Sequence, residues 1–565
     1  MSQSFAGAAP SNAPPSPSTS PGMDPLAPVV VLGDEAVALG ALHAGLSAAY
    51  GYPGTPSTEI FEYLFRHGPE EFGITAHWCA NEKTAYEQAL GVSMAGRRAL
   101  VSMKHVGLNV AADPFVNSAL VGIRGGLVLV VADDPGMHSS QNEQDSRWLA
   151  DFARVPCLEP ATQQEAYEMA RVAFGLSERF RIPVMLRMVT RLCHSRSEIR
   201  PSAPEPVHVA PEPDTVMDWT LLPGNARRLW EGVVAQAPEL EAHSTTSHWN
   251  GLVSSGEDGA PWDLVVTTGL ARTYLEENLD RLPVRPKHLH LGLYPIPRAL
   301  LAGALEGAER VLLLEEGYPY VERLLAGLVE GPLEVRGRLS GDLPATGELD
   351  PDVVGLALGL PEPDGIRLPG LSLPARPPQL CKGCPHGDAF EAVNMALEHF
   401  QDSVVAGDIG CYTLGALPPY RAIESCVCMG ASIGMAKGSA DAGSHPVLAV
   451  IGDSTFLHSG VTPLMDAVAH DTPMTVLILD NETVAMTGQQ PTVLPDSRLA
   501  PIIRGVGVDP DHFHVVETHP RKTGELADLL RDELAHPGLS VILAVRECIV
   551  AVRQRKARQR EESGS

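Results

Sequence analysis

Long hydrophobic runs are missing from this sequence. Nowhere in its 565 residues does an apolar stretch approach the roughly 18 residues that a membrane-spanning helix needs. Basic residues are outnumbered, 42 Lys and Arg against 69 Asp and Glu, and the formal charge of −27 would repel a phosphate backbone or an anionic lipid surface. Neither nucleic acid nor membrane is therefore an expected partner. The opening MSQSFAGAAPSNAPPSPSTSPGM lacks both a basic start and an apolar core, so residues 1–27 read as a disordered tail and not as a secretion signal. A cytoplasmic location follows as the expectation. In that compartment nine cysteines are few, and they read as thiols, metal ligands or redox sites more readily than as disulfides.

What is present is the composition of an acidic α/β enzyme: 44% apolar and 20% charged residues, only 5% aromatic, with 53 Gly and 49 Pro for tight turns. The chain is too long for one core, and its pattern predicts three doubly wound α/β domains on linkers. Residues 28–198 alternate apolar runs such as GGLVLVVADDPGM with helical stretches, the signature of a parallel sheet covered on both faces. A Pro- and acid-rich stretch, 199–260, reads as a linker holding at most one helix. A smaller α/β unit follows at 261–345, then a second linker at 346–376. The last block, 377–555, repeats the strand–helix rhythm and leaves a polar tail, 556–565.

In that block HPVLAVIGDSTF runs a buried strand into Gly452, Asp453 and Ser454. Ligands of parallel sheets sit beyond the carboxyl ends of the strands, so Asp453 stands where a site belongs. MTVLILDNETV ends likewise, placing Asn481 about 28 positions later, one strand–helix–strand unit away. A carboxylate and an amide oxygen side by side suit Mg²⁺, which fills its remaining positions with phosphate oxygens and water. A diphosphate is the natural third party. Two ordinary strand ends with capping residues would look similar.

Taken in order, GDIGCYTLG, CMGASIGMAKG, GDSTFLHSG and DNETVAMTGQQP resemble the indolepyruvate ferredoxin oxidoreductase α-subunits, a branch of the thiamine diphosphate-dependent 2-oxoacid oxidoreductase family. GYPGTPSTEI, NEKTAYEQALG, LGLYPIP and LLLEEGYP extend the likeness from about residue 30 to 550, over pyrimidine-binding, transketolase-C-like and diphosphate-binding domains. The family's Gly-Asp-Gly signature carries Ser454 as its third residue here, the variant expected in this group. The resemblance implies thiamine diphosphate held through Mg²⁺ on Asp453, Asn481 and the carbonyl of Thr483. It also implies a glutamate, Glu82, that hydrogen-bonds the aminopyrimidine and so favours the tautomer that activates the cofactor. By itself Glu82 would read as an acid stabilised by a helix N-terminus, and Glu87 is the weaker alternative. Thr55 matches the loop that faces substrate and cofactor, although Pro-Gly-Thr-Pro alone is simply a turn. Lys104, His105 and His458 could bind the oxoacid carboxylate or move protons, or be structural. No carboxylate-binding arginine is placed by motif.

Relatives hold an iron–sulfur cluster with a Cys-x-x-Cys, a cysteine in a Gly-Cys turn and a distant fourth. Here LCKGCPHGD supplies Cys381 and Cys384, DIGCYTLG supplies Cys411, and VRECIVAV supplies Cys548. Four thiolates suit a [4Fe-4S] cluster and also a structural zinc. Cys426 and Cys428, spaced as Cys-x-Cys before a Gly-rich helix, read as buried thiols in a strand-like segment, and Cys79, Cys157 and Cys193 carry no signal. The family's terminal ferredoxin-like segment has no counterpart in the 17 residues after Cys548, so electrons are expected to leave the cluster directly to an external acceptor or through a partner. The implied partners are a smaller β-subunit in an oligomer, an aryl pyruvate, coenzyme A and ferredoxin or another acceptor. The competing expectation is a non-oxidative thiamine-dependent decarboxylase.

Overall fold

The computed structural model describes residues 27–211, 216–325, 333–362, 378–494 and 498–563. Nearly all of the expected tail at 1–27, residues 363–376 of the second expected linker, and 564–565 lie outside the described residues. Packing divides the chain into two compact units, residues 1–364 and 365–565. Among the described residues no helix is long and apolar enough to cross a membrane.

The first unit is built on a seven-stranded sheet. From edge to edge it runs Leu293–Tyr294, Cys157–Leu158, Val184–Val189, Leu127–Asp133, Ala99–Lys104, Ala48–Gly51 and Thr75–Trp78. All pairs are parallel except the one made by Leu293–Tyr294. Leu127–Asp133 shows why such an apolar run becomes a central strand: Val128, Val130 and Ala132 enter one buried cluster, and Leu127, Leu129 and Val131 enter the one on the opposite face. The two-residue period of a strand sends alternate side chains to both covered faces.

A five-stranded sheet in the same unit is ordered Glu334–Arg336, Arg310–Leu314, Leu264–Thr268, Lys287–Leu291 and Asn250–Ser254, the last antiparallel at an edge. Both apolar clusters draw on both sheets, so the blocks expected at 28–198 and 261–345 pack as one body. Two buried arginines fasten them. Arg187 Nε donates to Asp133 Oδ2 at 2.6 Å and Arg147 Nη1 to Glu315 Oε2 at 3.1 Å, while Tyr294 Oη donates to Glu159 Oε2 at 2.7 Å.

The expected linkers contain more structure than their composition suggested. Residues 199–260 hold the helix Pro223–Thr246 and the strand Asn250–Ser254. Pro223 opens that helix, where its missing N–H costs nothing, and the strand is half exposed at an edge, so neither carries a long apolar run. In the second linker Pro351–Ala357 is capped by Asp350 and packs on Ala271–Asn278. The helix Ile549–Ser563 runs through the boundary expected at 555.

The second unit is a five-stranded, wholly parallel sheet ordered Val404–Ala406, Val447–Gly452, Met474–Asp480, Leu539–Val545 and Phe513–Glu517. Val447, Ala449 and Ile451 pack on one face and Leu448 and Val450 on the other. All five carboxyl ends consequently open on one edge of the sheet, where every motif of the last block lies.

Candidate cofactor and cluster sites

In the second unit the strand Val447–Gly452 delivers Asp453, only 4% exposed, beside the end of its parallel neighbour Met474–Asp480. Asp453 Oδ1 accepts from Ser454 N at 2.7 Å and Oδ2 from Glu482 N at 3.0 Å. Glu482 adopts φ 66°, a left-handed turn that folds the chain back toward the carboxylate. Asn481 is buried, its Oδ1 accepting from Thr483 N at 3.1 Å. Thr483 Oγ1 in turn donates to the Gln490 carbonyl at 3.1 Å. Burial and then the charge of Asp480 push the Asp453 carboxyl well above its ordinary range. Two buried acids of like sign, with an amide oxygen beside them, form a hard donor set whose mutual repulsion a divalent cation would relieve. Asp480 was missed in sequence; its place beside Asn481 was the available signal.

The surrounding residues shape this edge. A Cβ on Gly452 would stand 2.6 Å from Tyr412 Cε1, so glycine is required there by the packed ring. Asp408, another acid the sequence reading passed over, accepts from Gly430 N and Ser432 N, each at 2.9 Å, and holds the start of the helix Ala431–Asp441. His458 is buried in the turn after Asp453, with Nδ1 2.6 Å from Ser459 Oγ.

Cys381, Cys384, Cys411 and Cys548 line one cavity of about 110 Å³, together with His386 and Asn481. Each is brought by a different local device. Cys384 N donates to the Cys381 carbonyl at 2.9 Å in the turn before the helix Pro385–Leu397, and Cys411 follows the first strand of the sheet. Cys548 follows Leu539–Val545, and its N donates to the Asn481 carbonyl at 3.0 Å, joining cysteine pocket and acid pair through one backbone bond. Burial, reinforced by Cys384, Cys548 and Cys381, pushes the Cys411 thiol up to about 12. Metal ligation would release that proton.

Tetrahedral zinc at about 2.3 Å sets its sulfurs roughly 3.8 Å apart. Among the described residues no three of these sulfurs lie within 4.8 Å of one another. Cys426 and Cys428 correct the expectation of buried thiols: both are exposed, and their segment contributes only the isolated bridge of Ser425 with Ala406. The chain turns there toward Gly430, at φ 87°, too soon to extend a strand.

In the first unit the other expected residues gather where Ala48–Gly51 and Ala99–Lys104 end. Glu82, 6% exposed, opens the helix Glu82–Met94, which Asn81 caps by accepting from Thr84 N at 2.8 Å. Its carboxyl lies against Gly107, where a Cβ would come within 2.5 Å of Oε1. Gly107 belongs to the first turn of the helix His105–Ser118, which follows Lys104 directly. Lys104 Nζ donates to the Ser139 carbonyl at 2.8 Å, and Ser139 Oγ donates to the Thr55 carbonyl at 3.1 Å, so Thr55 and Lys104 share one partner. Burial lowers the Lys104 ammonium to about 8 against the pull of Asp134. His105 is buried, with Nε2 3.2 Å from the Asn142 carbonyl. Glu87 faces solvent and pairs with Lys83, which removes it as an alternative to Glu82.

The strand ends that carry Asp453 and Asn481 lie within the first of two family models that match the chain, and both models describe thiamine diphosphate-binding domains. Residues 408–544 match "Thiamine pyrophosphate enzyme, C-terminal TPP binding domain", and residues 39–217 match "Pyruvate flavodoxin/ferredoxin oxidoreductase, thiamine diP-bdg". Among characterised relatives, the indolepyruvate oxidoreductase subunit IorA of Archaeoglobus fulgidus is 38% identical over 94% of this chain and 88% of its own length. That of Methanothermobacter thermautotrophicus is 36% identical over 92% and 87%. The IorA subunit of Pyrococcus horikoshii is 34% identical over 92% and 85%. The chain belongs to the family of indolepyruvate oxidoreductase IorA subunits.

Proposed function

We propose that this chain is the thiamine-binding large subunit of a cytoplasmic enzyme that oxidatively decarboxylates an aryl 2-oxoacid of the indolepyruvate type. The oxoacid and coenzyme A yield the acyl-CoA and CO₂. Two electrons leave singly through a [4Fe-4S] cluster to ferredoxin or a similar acceptor, and a smaller β-subunit completes the assembly. When bound, thiamine diphosphate supplies the electron sink for decarboxylation. Within the chain, Asp453, Asn481 and the Thr483 carbonyl would hold Mg²⁺, with Gly452 and Ser454 shaping that turn. Glu82 would hydrogen-bond the aminopyrimidine. Thr55 would face substrate and cofactor, and Lys104, His105 and His458 would each bind the oxoacid carboxylate or move protons.

The observation that carries this reading is the convergence of Cys381, Cys384, Cys411 and Cys548, from three separate segments, on one cavity beside Asn481. A decarboxylase that released aldehyde would have no use for it. The test is the anaerobically purified complex of this chain with its smaller subunit. About four irons and four sulfides per chain are expected, with bound thiamine diphosphate and acceptor reduction requiring indolepyruvate and coenzyme A together. Aldehyde release without acceptor reduction, or a single zinc in place of iron, would overturn it.

A further inference from the structure

Away from these strand ends, the first unit brings together three side chains that no expected role uses. Asp34 stands in the first turn of the helix Gly33–His43, Glu59 in the first turn of Thr58–His67, and His194 at the end of Thr190–His194. One ligand atom from each lies within 4.8 Å of the other two. Asp34 is 0% exposed, and neither of its carboxylate oxygens has a hydrogen-bond partner. Glu59 Oε2 likewise accepts none, although His194 Nε2 stands 3.6 Å from it. The thiol of buried Cys193 lies beside Asp34 as a weak donor, and burial keeps it protonated.

Burial pushes the Asp34 carboxyl up to about 8, so without a counter-charge it holds its proton, and a cation at this cluster would take that proton's place. Helix capping does not explain this carboxyl: that duty falls to Glu35, whose Oε2 accepts from Leu32 N at 2.8 Å. The helix N-terminus favours an anion, but by only about 0.3–1 kcal/mol at a surface and somewhat more when partly buried. Two carboxylates and a neutral imidazole balance a dication, and tetrahedral Zn²⁺ with bonds of about 2.0 Å sets its ligand atoms roughly 3.3 Å apart. Glu59 and His194 are partly open to solvent, which leaves an entry path and room for a water as fourth ligand.

We infer that Asp34, Glu59 and His194 form a binding site for a first-row divalent cation of the Zn²⁺ class, separate from the Asp453 edge and from the cysteine pocket. Its position gives it a structural task. Glu59 follows the turn in which Gly54 N donates to Thr58 Oγ1 at 3.0 Å and Ser57 Oγ donates to the Gly54 carbonyl at 2.8 Å. A cation there ties the Thr55 turn to the first helix and to residue 194.

The probe is Co²⁺, then Zn²⁺, added to the chelator-treated full chain. Co²⁺ in the cysteine pocket announces itself by intense thiolate charge-transfer absorption, and at Asp453 it meets only oxygen donors. The inferred site should add weak visible bands of a nitrogen–oxygen site, and one metal equivalent that Asp34→Asn and His194→Gln each remove or weaken by about 100-fold. Zn²⁺ should raise the thermal transition of the wild type by more than that of His194→Gln, a surface change that does not threaten folding and leaves the cysteine pocket intact. Equal metal stoichiometry in wild type and both variants, or a zinc-induced shift of the same size in wild type and His194→Gln, would overturn the inference.

Discussion

The arginine network of the first unit and the strand ends of the second treat buried charge in opposite ways. In the first, Arg147 and Arg187 are each about 1% exposed, and each is surrounded by acids: Asp145, Glu159 and Glu315 for one, Asp133 and Glu159 for the other. In the second, the strongest charge acting on Asp453 is that of another acid, Asp480, and the thiol of Cys411 feels three further thiols. The first arrangement is complete within the polypeptide. The second would be completed by bound cations, which is why it reads as a candidate site and the arginine network as a fastening between two sheets. Buried ionisable groups alone do not mark function; the sign of their neighbours does.

Removing one guanidinium from the complete network should have the largest effect on folding. Arg147→Ala takes the guanidinium from Asp145 and Glu315, leaving Glu315 with backbone donors alone and Asp145 with Arg187 and backbone donors, and a loss of about 3–5 kcal/mol is expected in chemical denaturation. A loss below about 1 kcal/mol would mean that the network is not the fastening described. Glu82→Gln should leave folding and cofactor affinity in place while turnover falls by roughly 10²–10⁴-fold. Unchanged proton exchange at the cofactor's reactive carbon in that variant would move the activating carboxyl elsewhere.

Asp453→Asn sharpens the contrast. It removes one of two like charges, so the chelator-treated protein should be as stable as wild type or more so, while Mg²⁺-dependent cofactor affinity drops by about 10–100-fold in calorimetry. Lower stability of the metal-free variant would show that Asp453 is already compensated by protein. The smallest effect concerns Lys104. Its folded-state value of about 8 lies below the 10.5 of an unperturbed lysine, so between these pH values the unfolded chain binds more protons. Stability should therefore rise with pH across that window, by at most about 1.4 kcal/mol per unit, and Lys104→Met should flatten the slope.

Much of the second unit was legible in the sequence. Apolar runs such as Val447–Gly452 and Leu539–Val545 are local signals, and polar residues at their ends point to a site by the geometry of parallel sheets alone. Cys426 and Cys428 misled because a short apolar stretch looks like a strand whether or not a neighbour pairs with it, and here a left-handed glycine ends the segment. The one helix that the sequence allowed within 199–260, Pro223–Thr246, could not be given bounds there, because its flanks are proline-rich and its mostly exposed surface carries little apolar stripe.

The sequence by itself determined the strand–helix order, the family motifs and the candidates Glu82, Asp453, Asn481 and the four cysteines, because each rests on a short run of neighbouring residues. Only the tertiary structure decided which of these meet. It placed Cys548 over Asn481, Asp480 against Asp453, Thr55 and Lys104 on a shared Ser139, and Asp34 with Glu59 and His194. The physical reason is that strand adjacency in a crossover-connected sheet joins segments far apart in the chain, and no local propensity encodes which strand end will lie beside which.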